Sequence, residues 1–222
     1  MNLLKGVGLS FEETMAGHLG IGESDPGEGL QKGRSENTPL HFDARIVIDD
    51  LESFLSVSDH LARLEGTVTF EPLGGTFEMQ DGRFNLFSTE RETGQRQMRY
   101  AFRFTTQDGQ TYYLDGHKWI TDDPGEVDVV EDMTRLFTVV HRGPDADSPI
   151  YGAGELYFDL ADAPQLVGSM EVNGGASFWQ KAAARIAFAS FAYGALRTEY
   201  LGRERLLYES RYENLVLSGH AA

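Results

Sequence analysis

The fold of this chain is predicted most directly from residues 96–120, RQMRYAFRFTTQDGQTYYLDGHKWI. Two runs rich in aromatic and β-branched residues flank Asp108-Gly109, a dipeptide that supplies the positive φ angles a tight turn needs. The stretch therefore predicts one long β-hairpin. The alternating segments on either side of it predict further strands of the same sheet.

The register of this hairpin decides which side chains face the interior. A two-residue turn at Asp108-Gly109 would place three aromatic residues opposite a phenol, a carboxylate and an imidazole, in the pairs Tyr100–His117, Phe102–Asp115 and Phe104–Tyr113. Trp119 would continue that face. A carboxylate and an imidazole buried among aromatic rings must either be hydrogen-bonded to each other or interact with a ligand, because an unpaired buried polar group is costly. This register therefore predicts a ligand site.

A three-residue loop with a bulge would shift the register by one residue. Phe102 and Phe104 would then face Leu114 and Tyr112, and the polar side chains of Asp115 and His117 would turn to solvent. The sequence leaves both registers open.

The remaining segments predict a mainly β fold of about eight antiparallel strands, as a calycin- or lipocalin-like barrel or as a sandwich. The chain contains 14 phenylalanines, 9 tyrosines and 2 tryptophans, which are enough to form a hydrophobic core. Its length of 222 residues is compatible with a single domain. An Ala-rich segment predicts a C-terminal helix over residues 177–200, with a core-facing stripe of Phe178, Ala182, Ile186, Ala189 and Tyr193. Residues 20–38 contain five glycines without periodicity and predict a flexible loop. Residues 203–217 fit either a strand or a helix.

Charge and composition exclude several classes of partner. The chain has 19 Lys and Arg residues and 35 Asp and Glu residues, which gives a formal net charge of -16. This charge argues against nucleic acid and anionic membrane surfaces as binding partners, because both would be repelled. Cysteine is absent, which excludes disulfides and cysteine nucleophiles. No signal peptide or membrane-spanning stretch is readable, so we expect a cytoplasmic protein.

No motif indicates a metal or cofactor. The six carboxylates between Asp122 and Asp132 do not have the spacing of a calcium-binding loop, and no glycine-rich nucleotide loop follows a strand. We therefore expect no metal site and no cofactor, and the oligomeric state stays open.

A series of short motifs resembles a known region. The segments are FEETMAGHLG (11–20), FDARIVIDD (42–50), HLARLEGTVT (60–69), GRFNLF (82–87), MRYAFRF (98–104), YYLDGHKWITDDPG (112–125) and GAGELYFDL (152–160). Together they resemble an all-β accessory region of bacterial GMC-type flavin oxidoreductases of the cholesterol-oxidase group. The flavin domain itself is missing, so the resemblance implies association with lipid or sterol oxidation, with a flavin-dependent oxidoreductase as partner.

Three functions follow as hypotheses. In the first, a barrel binds an apolar small molecule, lipid or sterol-like, among Tyr100, Phe102, Phe104, Tyr113 and Trp119. In the second, Asp115 or His117 moves a proton in a cofactor-free acid–base enzyme of the isomerase kind. In the third, the chain is a structural or interaction domain without a pocket.

Overall fold

The computed structural model describes residues 3–89, 95–120, 133–174 and 177–200, with side chains described to residue 194 of the last range. The strands are β1 (Gly8–Ile21), β2 (Pro39–Ile48), β3 (Leu61–Phe70), β4 (Gly75–Glu78), β5 (Gln80–Thr89), β6 (Arg96–Thr105), β7 (Thr111–Ile120), β8 (Arg135–His141), β9 (Ile150–Tyr157) and β10 (Glu171–Asn173). The helices are α1 (Pro26–Glu36), α2 (Leu51–Ser56), α3 (Ala163–Gly168) and α4 (Phe178–Tyr200).

Eight of these strands form a closed antiparallel barrel. They follow one another in the order β1-β2-β3-β5-β6-β7-β8-β9, and β9 pairs with β1 to complete the circuit. The short strands β4 and β10 pair with β3 and β1 outside it. The prediction of a mainly β fold with about eight strands and a C-terminal helix is confirmed, in its barrel form.

The alternation of side chains along each strand places the core inside the barrel. In β1, for example, Leu9, Phe11, Met15 and Leu19 point inward and are almost fully buried. Successive side chains of a strand point to opposite faces, so every second residue of the barrel wall contributes to this core.

The hairpin adopts the shifted register. Its strands pair Phe102 with Leu114 and Phe104 with Tyr112. Gly109 has a φ of 84° and ends a three-residue loop, and its N–H donates to the carbonyl of Thr106 at 2.9 Å. This is a type I turn followed by a left-handed residue, which adds the residue that shifts the ladder. The register from a two-residue turn is wrong.

The glycine-rich segment 20–38 is not the flexible loop that its composition predicts, because α1 forms most of it. The carboxylate of Asp25 accepts the N–H of Glu28 at 2.9 Å, and Pro26 stands in the first turn, so both residues favour a helix start. The glycines serve packing: a Cβ on Gly29 would lie 1.9 Å from the carbonyl oxygen of Ala153 in β9. They allow α1 to press against the barrel wall.

Helix α4 covers one end of the barrel. The face that it packs against the barrel is opposite to the one predicted from the sequence. Ala184 and Phe188 are buried, and the Phe188 ring lies 5.7 Å from that of Phe11. The predicted core-facing stripe is largely exposed, with Ile186 at 66% and Tyr193 at 65%. The helix carries apolar side chains on both faces, so periodicity alone could not select the inner one.

Two predictions fall outside the described residues. They concern the acidic segment between Asp122 and Asp132 and the choice of strand or helix for residues 203–217.

Candidate functional site

The shifted register divides the predicted ligand wall between the two faces of the barrel. Tyr100, Phe102 and Phe104 point inward and are at most 1% exposed. The remaining four residues of the predicted sites, Tyr113, Asp115, His117 and Trp119, alternate on the outer face of β7. The acid and the imidazole therefore do not share a face with the inward rings.

The inward rings pack against one another. The Phe102 ring lies 5.6 Å from that of Phe42 and 6.4 Å from that of Phe104, which in turn stacks on Tyr112 at 5.5 Å. Rings at these separations are in van der Waals contact. They form packed core, and they do not line either of the two grooves described below.

On the outer face, Asp115 is the centre of a polar cluster. Arg99 donates two hydrogen bonds to its carboxylate, at 2.8 Å and 2.9 Å, and the Nε2 atom of His117 lies 3.1 Å away. Nδ1 of His117 lies 2.7 Å from Oε1 of Gln97, and the imidazole stacks on Trp119 with 5.4 Å between ring centroids. The carboxylate and the imidazole are thus held in place on all sides.

This cluster is poorly suited to proton transfer. Burial on its own would raise the pKa of Asp115, but the hydrogen bonds from His117 and Arg99 outweigh it and lower the pKa to about 2. A carboxylate with so low a pKa is a weak base at neutral pH. Both ring nitrogens of His117 also face acceptors already, so the geometry favours a structural role.

The inner face of the barrel holds a second polar cluster, which the sequence reading missed. Nζ of Lys118 lies 2.8 Å from Oε1 of Glu13, and the Tyr100 hydroxyl donates to Oε2 of Glu13 at 2.8 Å. The Lys118 and Glu13 side chains are only 3% and 6% exposed. We refer to Glu13, Tyr100 and Lys118 as the interior triad.

Aromatic rings surround the ammonium group of the triad. Nζ of Lys118 lies 5.1 Å from the centroid of the Tyr100 ring and 6.0 Å from that of Phe158. Burial, followed by the neighbouring charge of Glu13, raises the pKa of Tyr100 well above its ordinary value, so its hydroxyl stays protonated and donates. The sequence carries a signal for Glu13 alone, because this residue occupies an inward position between Phe11 and Met15 of an alternating strand.

The barrel wall is incomplete beside the triad. On the side that faces β9, strand β1 pairs with β9 over Ala16–Ile21 and with β10 over Gly8–Ser10. No described strand pairs with residues 11–15 on that side. We call this section the β1 window. It is closed by side chains, since Phe158, Leu166 and Met170 pack against the core there and Ser169 accepts the N–H of Glu12 at 2.9 Å.

A groove of about 430 Å³ lies at the β1 window. Its lining combines the edge of the triad, an apolar wall and several polar side chains, namely Glu12, Glu13, Thr14, Asp43, Ala44, Arg45, Gly66, Thr67, Phe158, Asp162, Gln165 and Leu166. Four of these residues are carboxylates and one is a guanidinium, so the groove is acidic. A second groove, of about 590 Å³, lies outside the barrel between β2, α2 and β3 and does not include the triad.

Comparisons with known proteins add no assignment. No family model, no curated protein and no solved structure matches the chain. None of the described helices is long and apolar enough to cross a membrane. Within the described ranges, no group of three or more His, Asp or Glu side chains is arranged to hold a metal ion.

Proposed function

We propose that this barrel binds a small, neutral, mostly apolar molecule that carries a hydroxyl group, such as a sterol-like lipid. The ligand lies in the groove at the β1 window. Its apolar body packs against Phe158 and Leu166, and its hydroxyl group donates to Glu13, the member of the interior triad that lines the groove. The proposal rests on one observation, namely a nearly fully buried ion pair at residues 11–15 of β1, where no described strand pairs with β1 on the side that faces β9.

An ion pair at such a place is not explained by stability. Removing two charges from water costs about as much as their attraction returns, and apolar side chains of similar volume often stabilise a core better. A buried polar cluster at the edge of a groove has a clearer use in recognition, because it distinguishes ligands by their hydrogen-bonding groups.

The triad retains hydrogen-bonding capacity. An ammonium group has three donors, and among the described residues Lys118 uses one, toward Glu13. Each carboxylate oxygen of Glu13 has one partner in that part of the chain, although each can accept a second hydrogen bond. Because Glu13 lines the groove, a hydroxyl group of the ligand can donate to its carboxylate.

The charge of the groove narrows the ligand class. Glu12, Asp43 and Asp162 repel an anionic head group such as a fatty-acid carboxylate, and Arg45 is already paired with Glu171 at 2.9 Å. The ligand we propose is therefore neutral. Of the predicted binding residues, Tyr100, Phe102 and Phe104 are packed core, and Tyr113 and Trp119 lie on the outer face; none of them lines the groove.

The test is binding of a panel of lipids to the full chain, by native mass spectrometry and by titration of a fluorescent sterol analogue. Leu166→Ala should weaken binding about tenfold, because it removes apolar contact from the groove. The matched control is Leu160→Ala, in the same connection but 54% exposed and outside the groove, and it should bind like wild type. Equal losses in both variants, or no uptake of any lipid, would contradict the proposal.

A second comparison tests the triad without altering the protein. The same sterol without its hydroxyl group should bind at least about tenfold more weakly, because it leaves the carboxylate of Glu13 facing an apolar ligand. Equal affinity for the two molecules would remove the triad from the binding site.

The resemblance to the GMC-associated region supports a wider proposal, that the ligand is a substrate or product of a cytoplasmic flavin-dependent oxidoreductase. The test is affinity purification of the tagged chain from its host. Flavin absorbance should co-elute with it, and a colourless eluate would reject this part alone.

A further inference from the structure

We propose that the outer face of α4 docks on the same face of a second copy of this chain, as an antiparallel helix pair centred on Ile186. The starting observation is an uncovered apolar stripe, made of Phe178, Trp179, Ile186 and Tyr193. These side chains are exposed by 76%, 72%, 66% and 65%. We call them the α4 stripe.

The stripe exists in addition to the face that covers the barrel. Phe191, on the inner face, lies 5.9 Å from Phe54 and 6.1 Å from Phe87, measured between ring centroids. A helix that is apolar on both faces is typical of a helix buried on both. Large apolar patches on a surface mark interaction sites.

The spacing of the stripe suits a pair of identical helices. Trp179, Ile186 and Tyr193 are seven residues apart, the repeat that keeps side chains along one seam between two packed helices. Between them stand small residues, Ala182, Ala189 and Ser190, which allow close approach.

The pattern is also self-complementary. In an antiparallel pair centred on Ile186, each Ile186 meets its own copy and each Trp179 meets the partner's Tyr193. A two-fold dimer requires this property, since the same patch must fit itself.

Area and charge are compatible with such a dimer. A large aromatic side chain has roughly 150–250 Å² of surface to bury, and about two thirds of the surface of each stripe residue is exposed. Two α4 stripes in contact would therefore bury roughly 1,000 Å² together, which is near the lower limit for a specific interface. The charged residues of α4 whose side chains are described, Lys181 and Arg185, are both basic, whereas the chain carries -16. The pair thus places cationic groups between two acidic bodies, where they reduce repulsion.

The first test is the mass of the full chain in solution, by analytical ultracentrifugation over a range of concentrations. We expect a dimer for the wild type, and a dissociation constant at least about tenfold higher for Ile186→Glu, since the two-fold axis would bring two carboxylates together. The control is Val167→Glu on α3, a residue 67% exposed outside the stripe, which should dimerise like wild type. Unchanged thermal unfolding of both variants would show that neither perturbs the barrel.

The second test uses the absence of cysteine from the chain. Under oxidising conditions Ile186→Cys should form a disulfide-linked dimer, and a mixture of Trp179→Cys and Tyr193→Cys should form a mixed dimer. Val167→Cys should stay unlinked. Self-linking of Trp179→Cys in place of the mixed product would overturn the antiparallel arrangement.

Other occupants of the α4 stripe give other outcomes. A wild-type protein that stays monomeric at all concentrations overturns the proposal. If that monomer co-sediments with phosphatidylcholine vesicles and Ile186→Glu does not, the stripe binds a lipid surface instead.

Discussion

Strand β7 carries a charged cluster on each of its two faces, and the clusters differ in how their charges are compensated. Outside, Asp115 receives two hydrogen bonds from one guanidinium and a contact from His117, and Arg99 keeps 38% of its side chain in water. Inside, Glu13 receives one hydrogen bond from Lys118 and one from Tyr100, and the side chains of Glu13 and Lys118 are almost removed from water. The outer cluster has the geometry of a structural ion pair, and the inner one retains hydrogen-bonding capacity toward a ligand when only the described residues are counted.

The difference shows where function is to be sought. A bidentate Arg–carboxylate pair has strong, charge-assisted hydrogen bonds, which at Asp115 outweigh the cost of burial. An ion pair in a dry interior gives little net stability, although it is very sensitive to loss of one partner. The two clusters should therefore respond differently to mutation and to pH.

The largest expected effect comes from breaking the interior pair. Lys118→Met leaves the Glu13 carboxylate buried without its counter-charge, and the free energy of unfolding should fall by about 3–5 kcal/mol. Urea denaturation monitored by tryptophan fluorescence measures the loss. A decrease below about 1 kcal/mol would show that water reaches Glu13 and would abolish the contrast between the clusters.

The triple variant Glu13→Leu/Tyr100→Phe/Lys118→Met is the control for this prediction, since Tyr100→Phe removes the buried hydroxyl that would otherwise lose its acceptor. With both charges and this hydroxyl absent, the free energy of unfolding should return to within about 1 kcal/mol of wild type. If lipid binding is lost in that stable variant, the triad serves recognition and not folding.

The contribution of the outer cluster to the free energy of unfolding should depend on pH. The pKa of Asp115 is about 2 in the folded chain, below the value of about 3.9 for an unfolded aspartate. A lowered pKa stabilises the fold above the unfolded value, and this stability is lost as the pH falls from about 4 to about 2. About 2 kcal/mol is at stake.

Asp115→Asn isolates that contribution from those of the other acids. The variant should be about 2 kcal/mol less stable than wild type at pH 7, and the difference should shrink to near zero at pH 2. Urea denaturation at several pH values gives the comparison. A difference that stays constant with pH would mean that the Arg99 pair does not depend on the charge of Asp115.

The assignment of residues to the two faces depends on the turn of the β6–β7 hairpin. Gly109 has a φ of 84°, and no atom would clash with an added Cβ. Gly109→Ala should therefore cost only the left-handed backbone strain of about 1 kcal/mol, with the register retained. Amide hydrogen exchange along 96–120 checks the ladder. A new protection pattern would show that the turn alone sets the register.

Particular residues show how far the sequence could be read. The barrel was predictable, since alternation and aromatic content mark its strands. Helix α1 was missed because its glycines resemble a loop, although Asp25-Pro26 is a readable helix start. The interior triad was not predictable, because Glu13 and Lys118 are 105 residues apart and meet only when the barrel closes in the correct register.

The smallest effect should come from a charge pair without burial. Arg103 and Asp81 pair on the outer face with side chains 40% and 66% exposed. Screening and side-chain entropy offset most of their attraction, so Arg103→Ala should change the free energy of unfolding by less than about 0.5 kcal/mol. Urea denaturation at low and high salt measures this difference, which should vanish at high salt. A loss as large as that for Asp115→Asn would show that solvent exposure does not explain why the two outer ion pairs differ in stability. The contribution of the Arg99–Asp115 pair would then come from its geometry alone.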